Sequence, residues 1–472
     1  MDAPKVEENV APPVLTQAML ARLDKPGPRY TSYPTADRFV EAFGSAAYAQ
    51  ALQQRALGAT VGGTPPLSVY LHIPFCESVC YYCACNKVIT RHHERAAEYL
   101  AALDVEIDLH VQALGARQSV SQLHFGGGSP TFLSDAEIAA LMDSLRRAFR
   151  IVPGAEVSIE VDPRTVTDER LRHLAGLGFN RISFGVQDFD PEVQKAVHRV
   201  QSFEMVRDLM ASARALGFES TNVDLIYGLP KQTPASLART VAQVGELRPD
   251  RIALYAYAHL PQRFKPQRRI DAHDLPSAAD RVAMLGTAIR GFLGHGYTYI
   301  GMDHFALPGD SLAVAKRQGR LHRNFQGYST QPDCDLIGLG VSAIGRIGAT
   351  YSQNVKTLDQ YYDAMRQRQF ATERGLALSR DDLVRRAVIM ALMCQGRVDF
   401  ESIDLAHLIR MEEYFAPELE QLRPLAEMGL VRLEGRGIDV TPLGWYFVRG
   451  IAMVFDRYLQ ADRTRERFSR II

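Results

Sequence analysis

From Leu67 onward short apolar runs recur at regular intervals, and the stretches between them carry helical periodicity. "LSVYLHI", "SVSQLHF", "EVSIEVD", "RISFGV", "TNVDLIYG", "RIALYAY" and "YTYIGMD" read as seven strands. Between the first two, Leu100, Leu103, Ile107 and Val111 fall on one face of a helix. Ser134 predicts an N-cap for "DAEIAALMDSLRRAF", and "TPASLARTVAQVGEL" opens with Thr233 at N-cap and Pro234 at N1. Repeated strand–helix units imply an α/β fold with a parallel sheet and helical crossovers, for which a full or partial barrel is favoured over an open sheet.

In such folds functional groups gather on the loops that follow the strands. Here the cysteine-rich "FCESVCYYCACN" follows the first strand, "GGGSP" the second and "DPR" the third. Gln187 and Asp188 follow "RISFGV", and Asp224 and His259 lie in or just beyond the next two strands. Ordinary turn chemistry accounts for the glycines and prolines but not for the cysteines.

Two flanks depart from the repeat. Before residue 60, "KPGPRYTSYPT" is proline-rich and aromatic, suited to an arm laid over another surface. After about residue 365, "RDDLVRRAVIMALMC" and the segment up to "WYFVRGIAMVFDRYL" suggest helices around a small hairpin, as in a winged helix. A chain of 472 residues exceeds one ordinary core.

Lys plus Arg equals Asp plus Glu at 54 each, so no global field draws the chain to nucleic acid or anionic membrane. The acidic, proline-containing start is unlike a secretory signal, and no apolar run approaches the roughly 20 residues that span a bilayer. A reducing cytosol is therefore the expected compartment, where clustered cysteines bind metal or do redox chemistry. Cys334 and Cys394 stand apart and read as buried small apolar residues.

Three readings compete for Cys76, Cys80, Cys83 and Cys85. Structural zinc takes cysteine pairs separated by a dozen or more residues, and ferredoxin clusters use repeated C-x2-C spacings. The spacing here is C-x3-C-x2-C-x-C. A [4Fe-4S] cluster held by three cysteines is the third reading.

At C-x3-C-x2-C after the first strand of a βα repeat, with Tyr82 before the third cysteine, the sequence resembles the radical S-adenosylmethionine (radical SAM) superfamily. The resemblance implies a cluster on Cys76, Cys80 and Cys83 whose open iron is chelated by SAM. It further implies cleavage of SAM to a 5′-deoxyadenosyl radical that abstracts hydrogen from an unactivated carbon. "PRYTSYPT", "GGGSPT", "SIEVDPR", "GVQDF", "NVDLIYGLPKQT", "YAHLP", "GMDHFA", "LHRNFQGY" and "VSAIG" follow in order. With these the chain resembles the oxygen-independent coproporphyrinogen III oxidases over nearly its whole length.

That likeness implies oxidative decarboxylation of two propionates of coproporphyrinogen III to vinyl groups, with coproporphyrinogen III as substrate and a low-potential flavodoxin- or ferredoxin-like electron donor. It implies two SAM molecules beside one cluster. Tyr70, Gly127, Glu160 and Ile344 match the first SAM site; Tyr82, Gly128, Ser129, Gln187, Arg199, Asp224 and Ala258 match the second. Cys85 must stay off the cluster and takes a supporting catalytic role. Arg29, Tyr30 and Tyr33 of the arm are expected to meet the substrate, a cation for carboxylates and rings for pyrrole faces.

The implied architecture is a partial (β/α)6-type, TIM-like barrel over residues 61–365, an N-terminal arm over 1–60 and a mainly helical, winged-helix-like domain over 366–472. A monomer without nucleic acid or a membrane span is expected. Tyr82, Ser129, Phe125 and Ala84 stand where the family pattern has Phe, Thr, Trp and Gly. Haem-carrying relatives and radical SAM methyltransferases share the scaffold; the carriers generally lack a residue equivalent to Cys85 and the "RYTSYP" arm.

Overall fold

Alternation along the predicted strands builds one large sheet with an apolar outer face and a polar inner face. The computed structural model describes residues 27–62, 65–331 and 334–461. A helix α1 (Ser45–Gly62) precedes six parallel strands that pair in chain order: β1 (Leu67–Ile73), β2 (Gln118–Gly127), β3 (Phe149–Val161), β4 (Arg181–Gln187), β5 (Ser220–Tyr227) and β6 (Arg251–Ala256). Among the crossovers are α2 (Arg95–Leu114), α3 (Asp135–Ala148) and α4 (Pro234–Leu247). Helix α3 starts at the capping box of Ser134 and Glu137, and α4 starts at Thr233 with Pro234 in its first turn.

Outward residues such as Ile182, Phe184 and Val186 of β4 pack with the crossover helices in one core. Inward positions are polar and held in register: Tyr70 beside His124, His124 beside Ser158, Glu160 beside Ser183 and Gly185 beside Asp224. A central barrel strand ordinarily fills its interior with branched apolar side chains. This one keeps an interior lined with hydrogen-bonding groups.

The ends of the sheet differ from expectation. "YTYIGMD" supplies only a short edge strand, β7 (Thr298–Gly301), joined to β6 through the antiparallel β8 (His304–Ala306). Beyond β1 lies β9 (Leu336–Leu339), parallel to it, followed by the antiparallel β10 (Ile344–Ile347), β11 (Thr350–Asn354) and β12 (Thr372–Ala377). Among the described residues the sheet has twelve strands and two open edges, a partial barrel. Because β12 ends at Ala377, the sheet continues past the boundary expected at residue 365. The boundary expected at residue 60 falls inside α1, whose Tyr48, Ala51 and Leu52 share the core of the sheet.

The C-terminal region has its own core, which includes Val388, Leu392, Phe415, Leu422 and Ile438. Its three short strands, Arg397–Asp399, Gly437–Val440 and Val431–Arg432, pair antiparallel among helices. Cys394 is buried there, and Cys334 is buried beside the sheet.

Two contacts fix the strand ends that bear the cysteines and the glycines. Gly127 has φ +113°, and Gly128 donates to the Ile73 carbonyl at 2.7 Å while Ser129 donates to that of Phe75 at 2.8 Å. A Cβ on Gly128 would stand 2.7 Å from the Pro74 oxygen and 2.8 Å from that of Phe75, both backbone atoms. On the other side, Glu106 of α2 accepts from the Gly340 amide (2.6 Å), Tyr361 Oη (2.7 Å) and Asn354 Nδ2 (2.7 Å), tying the turn after β9 to the helix layer.

Gly128→Ala should force the two backbones apart and cost about 1–3 kcal/mol, read as a lower thermal midpoint. Burial pushes the Glu106 carboxyl up to about 7 despite its three donors. With the folded value above the unfolded one, the folded chain binds the proton more tightly, so this group's contribution to stability falls as pH rises from about 4.5 to 7, by about 3 kcal/mol. Glu106→Gln should flatten that slope in denaturant titrations run across this range.

Candidate active site

The cysteine segment leaves β1 and is pinned at both ends. Phe75–Cys76 pairs in parallel with Val88–Ile89, Val88 donates to the Pro74 carbonyl (2.8 Å) and Thr90 to that of Cys76 (2.9 Å). Between these points the chain coils so that Cys76, Cys80, Cys83 and Cys85 all line one cavity of about 370 Å3. Tyr82, Gly127, Gly128, Ser129, Glu160, Gln187, Arg199 and Asp224 line it too. Residues spread over 149 positions of sequence thus meet at the ends of β1 to β5.

Tyr70, Ala258 and Ile344 do not line this cavity. Tyr70 sits on the inner face, its ring stacked on His124 at 5.8 Å. Ala258 is tied to the cysteine loop through Gln267, whose Nε2 donates to the carbonyls of both Ala258 (3.1 Å) and Tyr82 (3.0 Å). Ile344 starts β10 and lies against Gly338 of β9. Asp188 turns away as well: a register shift between Gly185 and Gln187, with Gln187 at φ +69°, sends Asp188 outward to accept from Thr240 (2.6 Å) and Gln232 (2.5 Å).

Asp162 and Arg164 of the "DPR" turn also line the cavity, and they join the cysteines to the cationic wall. Asp162 pairs with Arg164 at 2.6 Å and with Arg199 at 3.1 Å. Arg199 Nη1 lies 3.4 Å from Cys80 Sγ and Arg164 Nη2 lies 3.8 Å from it. Arg199 spends its remaining donors on the Gly185 carbonyl. Its fork therefore braces Cys80 and the wall.

Electrostatics divide the carboxylates. Burial pushes Asp162 up, but the two arginines outweigh it and hold it below the usual range. Burial likewise opposes ionisation of Glu160, which His124 Nε2 (3.2 Å) and the Gly127 amide (3.3 Å) overcome, leaving it below its ordinary value. Asp224 goes the other way: burial, then the nearby Glu160 charge, pushes it up to about 6 against donation from Ser183 and Asn222. The inner wall thus offers one firm anion and one carboxyl poised to take or release a proton.

The thiols fit a multi-iron cluster better than one ion. Among the described residues no three His, Cys, Asp or Glu side chains converge as ligands of a single metal ion would. A cluster takes each thiolate at a separate iron, so three sulfurs spread along a cavity wall suit it. Burial, then Cys83 and Cys80, raise the free Cys76 thiol to about 12, a preference that bound iron reverses. A hydrogen bond between Cys83 and Cys85 lowers the first and raises the second.

The arm is placed differently from expectation. Tyr30 and Tyr33 are fully buried in the C-terminal core, Tyr30 Oη donating to Asp456 (2.9 Å) and Tyr33 Oη accepting from the Arg457 amide (3.4 Å). Packed rings offer no face to a pyrrole. Arg29 alone of the three reaches the inner face, paired with Asp303 and 5.0 Å over the Tyr255 ring.

The radical SAM superfamily profile matches residues 70–244, and the HemN C-terminal domain profile matches residues 378–447. The chain is 50% identical over 455 residues to the oxygen-independent coproporphyrinogen III oxidase of Escherichia coli K12, covering 96% of this chain and 98% of that one. It is 50% identical over 457 residues to the Pseudomonas aeruginosa protein of the same name, with 96% and 98% covered. The solved structure described as coproporphyrinogen III oxidase (HemN) from Escherichia coli, a radical SAM enzyme, superposes with a TM-score of 0.88 over 91% of this chain and 98% of that chain. With half of the aligned positions identical over 96% of the chain, and the same fold over 91% of it, the chain belongs to the oxygen-independent coproporphyrinogen III oxidase family of the radical SAM superfamily.

Proposed function

We propose that the chain carries out the oxygen-independent oxidative decarboxylation of two propionate side chains of coproporphyrinogen III to vinyl groups, giving protoporphyrinogen IX. The observation that carries the reading is the convergence of all four motif cysteines on one cavity in a chain half identical to the named oxidases. Each propionate loses a hydrogen atom from its β-carbon, carbon dioxide and one electron, which leaves to an external acceptor.

In this reading Cys76, Cys80 and Cys83 hold a [4Fe-4S] cluster, and two SAM molecules bind beside it. When bound, cluster and SAM together supply the one-electron cleavage that yields a radical able to take hydrogen from an unactivated carbon. Tyr70, Gly127, Glu160 and Ile344 serve the first SAM; Tyr82, Gly128, Ser129, Gln187, Arg199, Asp224 and Ala258 serve the second. The Gly127–Gly128 backbone admits close approach of the methionine part, and the ionised Glu160 accepts from its amine. Asp224, poised near pH 6, accepts from an amine or ribose hydroxyl. The two arginines at Cys80 hydrogen-bond its sulfur and favour a fixed thiolate geometry.

Cys85 is the exposed member of the four cysteines and lines the same cavity as the cluster trio. It works on the second SAM and substrate rather than on iron. A low-potential flavodoxin- or ferredoxin-like protein supplies the electron, and the enzyme works as a cytoplasmic monomer. Among the described residues no helix is long and apolar enough to cross a membrane.

The test is anaerobic: reconstituted enzyme, SAM, reductant and coproporphyrinogen III, with 5′-deoxyadenosine and porphyrin mass as readouts. Two vinyl groups with carbon dioxide are expected. Deoxyadenosine with unchanged porphyrin mass, a methylated product, or bound haem without turnover would each replace the reading. Cys85→Ser should keep its iron and lose decarboxylation by roughly a hundredfold or more, whereas Cys80→Ser should lose the cluster.

A further inference from the structure

We propose that Arg323, with Arg29 and His304 beside it, forms the subsite that anchors a propionate carboxylate of the tetrapyrrole on the inner face of the sheet. The inference rests on the coproporphyrinogen reading and adds residues that the sequence motif "LHRNFQGY" left without a physical role.

Arg323 is 5% exposed, yet among the described residues its Nη1 has no hydrogen-bond partner. Its Nε donates to the Arg29 carbonyl at 3.2 Å, and its guanidinium lies 4.6 Å over the Tyr328 ring. His304 Nδ1 is buried and unpartnered as well, and this ring stands edge-on to both Tyr255 and Tyr328. Register fixes the direction of His304. His304 aligns with Ala253 of β6, and Ala253 aligns with Asp224 of β5. Aligned residues of paired strands share a face, so His304 projects to the side on which Asp224 lines the cofactor cavity. Tyr255, two residues beyond Ala253, is on that face too and carries Arg29 over its ring.

Asp303 pairs with Arg29, while among the described residues Arg323 Nη1 meets no acceptor. Arg449, at the same place in the fold, is pushed down to about 9 by burial and then by the Arg29 and Arg323 cations. An unpaired guanidinium N–H and an unpaired imidazole nitrogen are costly to hold away from water. A carboxylate supplies the missing acceptor for Arg323 Nη1 and, with a protonated Nδ1, for His304. Coproporphyrinogen III carries such carboxylates around a macrocycle, and the subsite lies next to the Asp224 wall where the radical chemistry is placed. The methionine carboxylate of SAM is the other source of the same group, and the test separates the two.

Holoenzyme reconstituted without oxygen is titrated with coproporphyrin III, the stable oxidised form of the substrate, and separately with SAM. Arg323→Gln should weaken coproporphyrin III binding about ten- to a hundredfold, the loss expected for a charge-assisted contact. Iron content and SAM affinity should match the parent, and Arg323→Lys should recover part of the loss. In turnover the effect should fall on KM more than on kcat. Unchanged coproporphyrin III affinity would overturn the proposal, as would a fall in SAM affinity of the same size. If Arg323→Gln does not fold, Arg29→Gln decides by the same comparison. A parent enzyme that binds coproporphyrin III through Arg323 but makes no vinyl product would sink the reaction assignment and leave the subsite standing.

Discussion

Polar groups placed on the inner face of a parallel sheet must each find a partner, and that requirement organises this molecule. The strands could have filled the interior with branched apolar side chains. Instead His124 is held by Ser158 and Glu160 of the next strand, and Asp224 by Ser183 of the preceding strand and Asn222 of its own. The bonds that cross from strand to strand tie the polar lining to the register that the outer apolar core enforces. The polar groups of the inner face are thereby held by the sheet itself.

The same logic extends to the mouth of the sheet. Cys80 Sγ, Arg199, Asp162 and Arg164 form one connected set that draws on the loops after β1, β3 and β4. Gly128 lets the loop after β2 lie directly on the start of the cysteine segment. The cysteine loop is held from several sides although it has little regular structure of its own, and its sulfurs keep their spacing across the cavity wall.

The arm and the C-terminal module close the structure from the other side. Tyr30 and Tyr33 join the C-terminal core, and Arg449 donates to the Pro28 carbonyl at 2.8 Å, so the segment before α1 is locked between the module and the sheet. This lock delivers Arg29 to the inner face. A stretch that read as an arm laid over another surface is a buried strut with one charged tip, and the module that resembled a winged helix packs against it.

The sequence by itself determined the strands of the parallel sheet from β1 to β6, the helix caps at Ser134 and Thr233, and the place of the cysteine segment after the first strand, because these are local signals: period-two alternation, a capping residue and the order of residues along a few turns of chain. Twelve of the expected residues line one cavity, since strand ends in a βα repeat point the same way. Only the tertiary structure decided that β9 to β12 extend the sheet beyond β1, because "DLIGLG" is short, glycine-rich and gains its strand character by pairing with a distant partner. It alone decided that Asp188 turns out at a bulge, that Asp162 bridges two arginines at Cys80, and that Tyr30 and Tyr33 are core. Burial and the sharing of a hydrogen bond between residues hundreds of positions apart are properties of the assembled interior, and no window along the chain contains them.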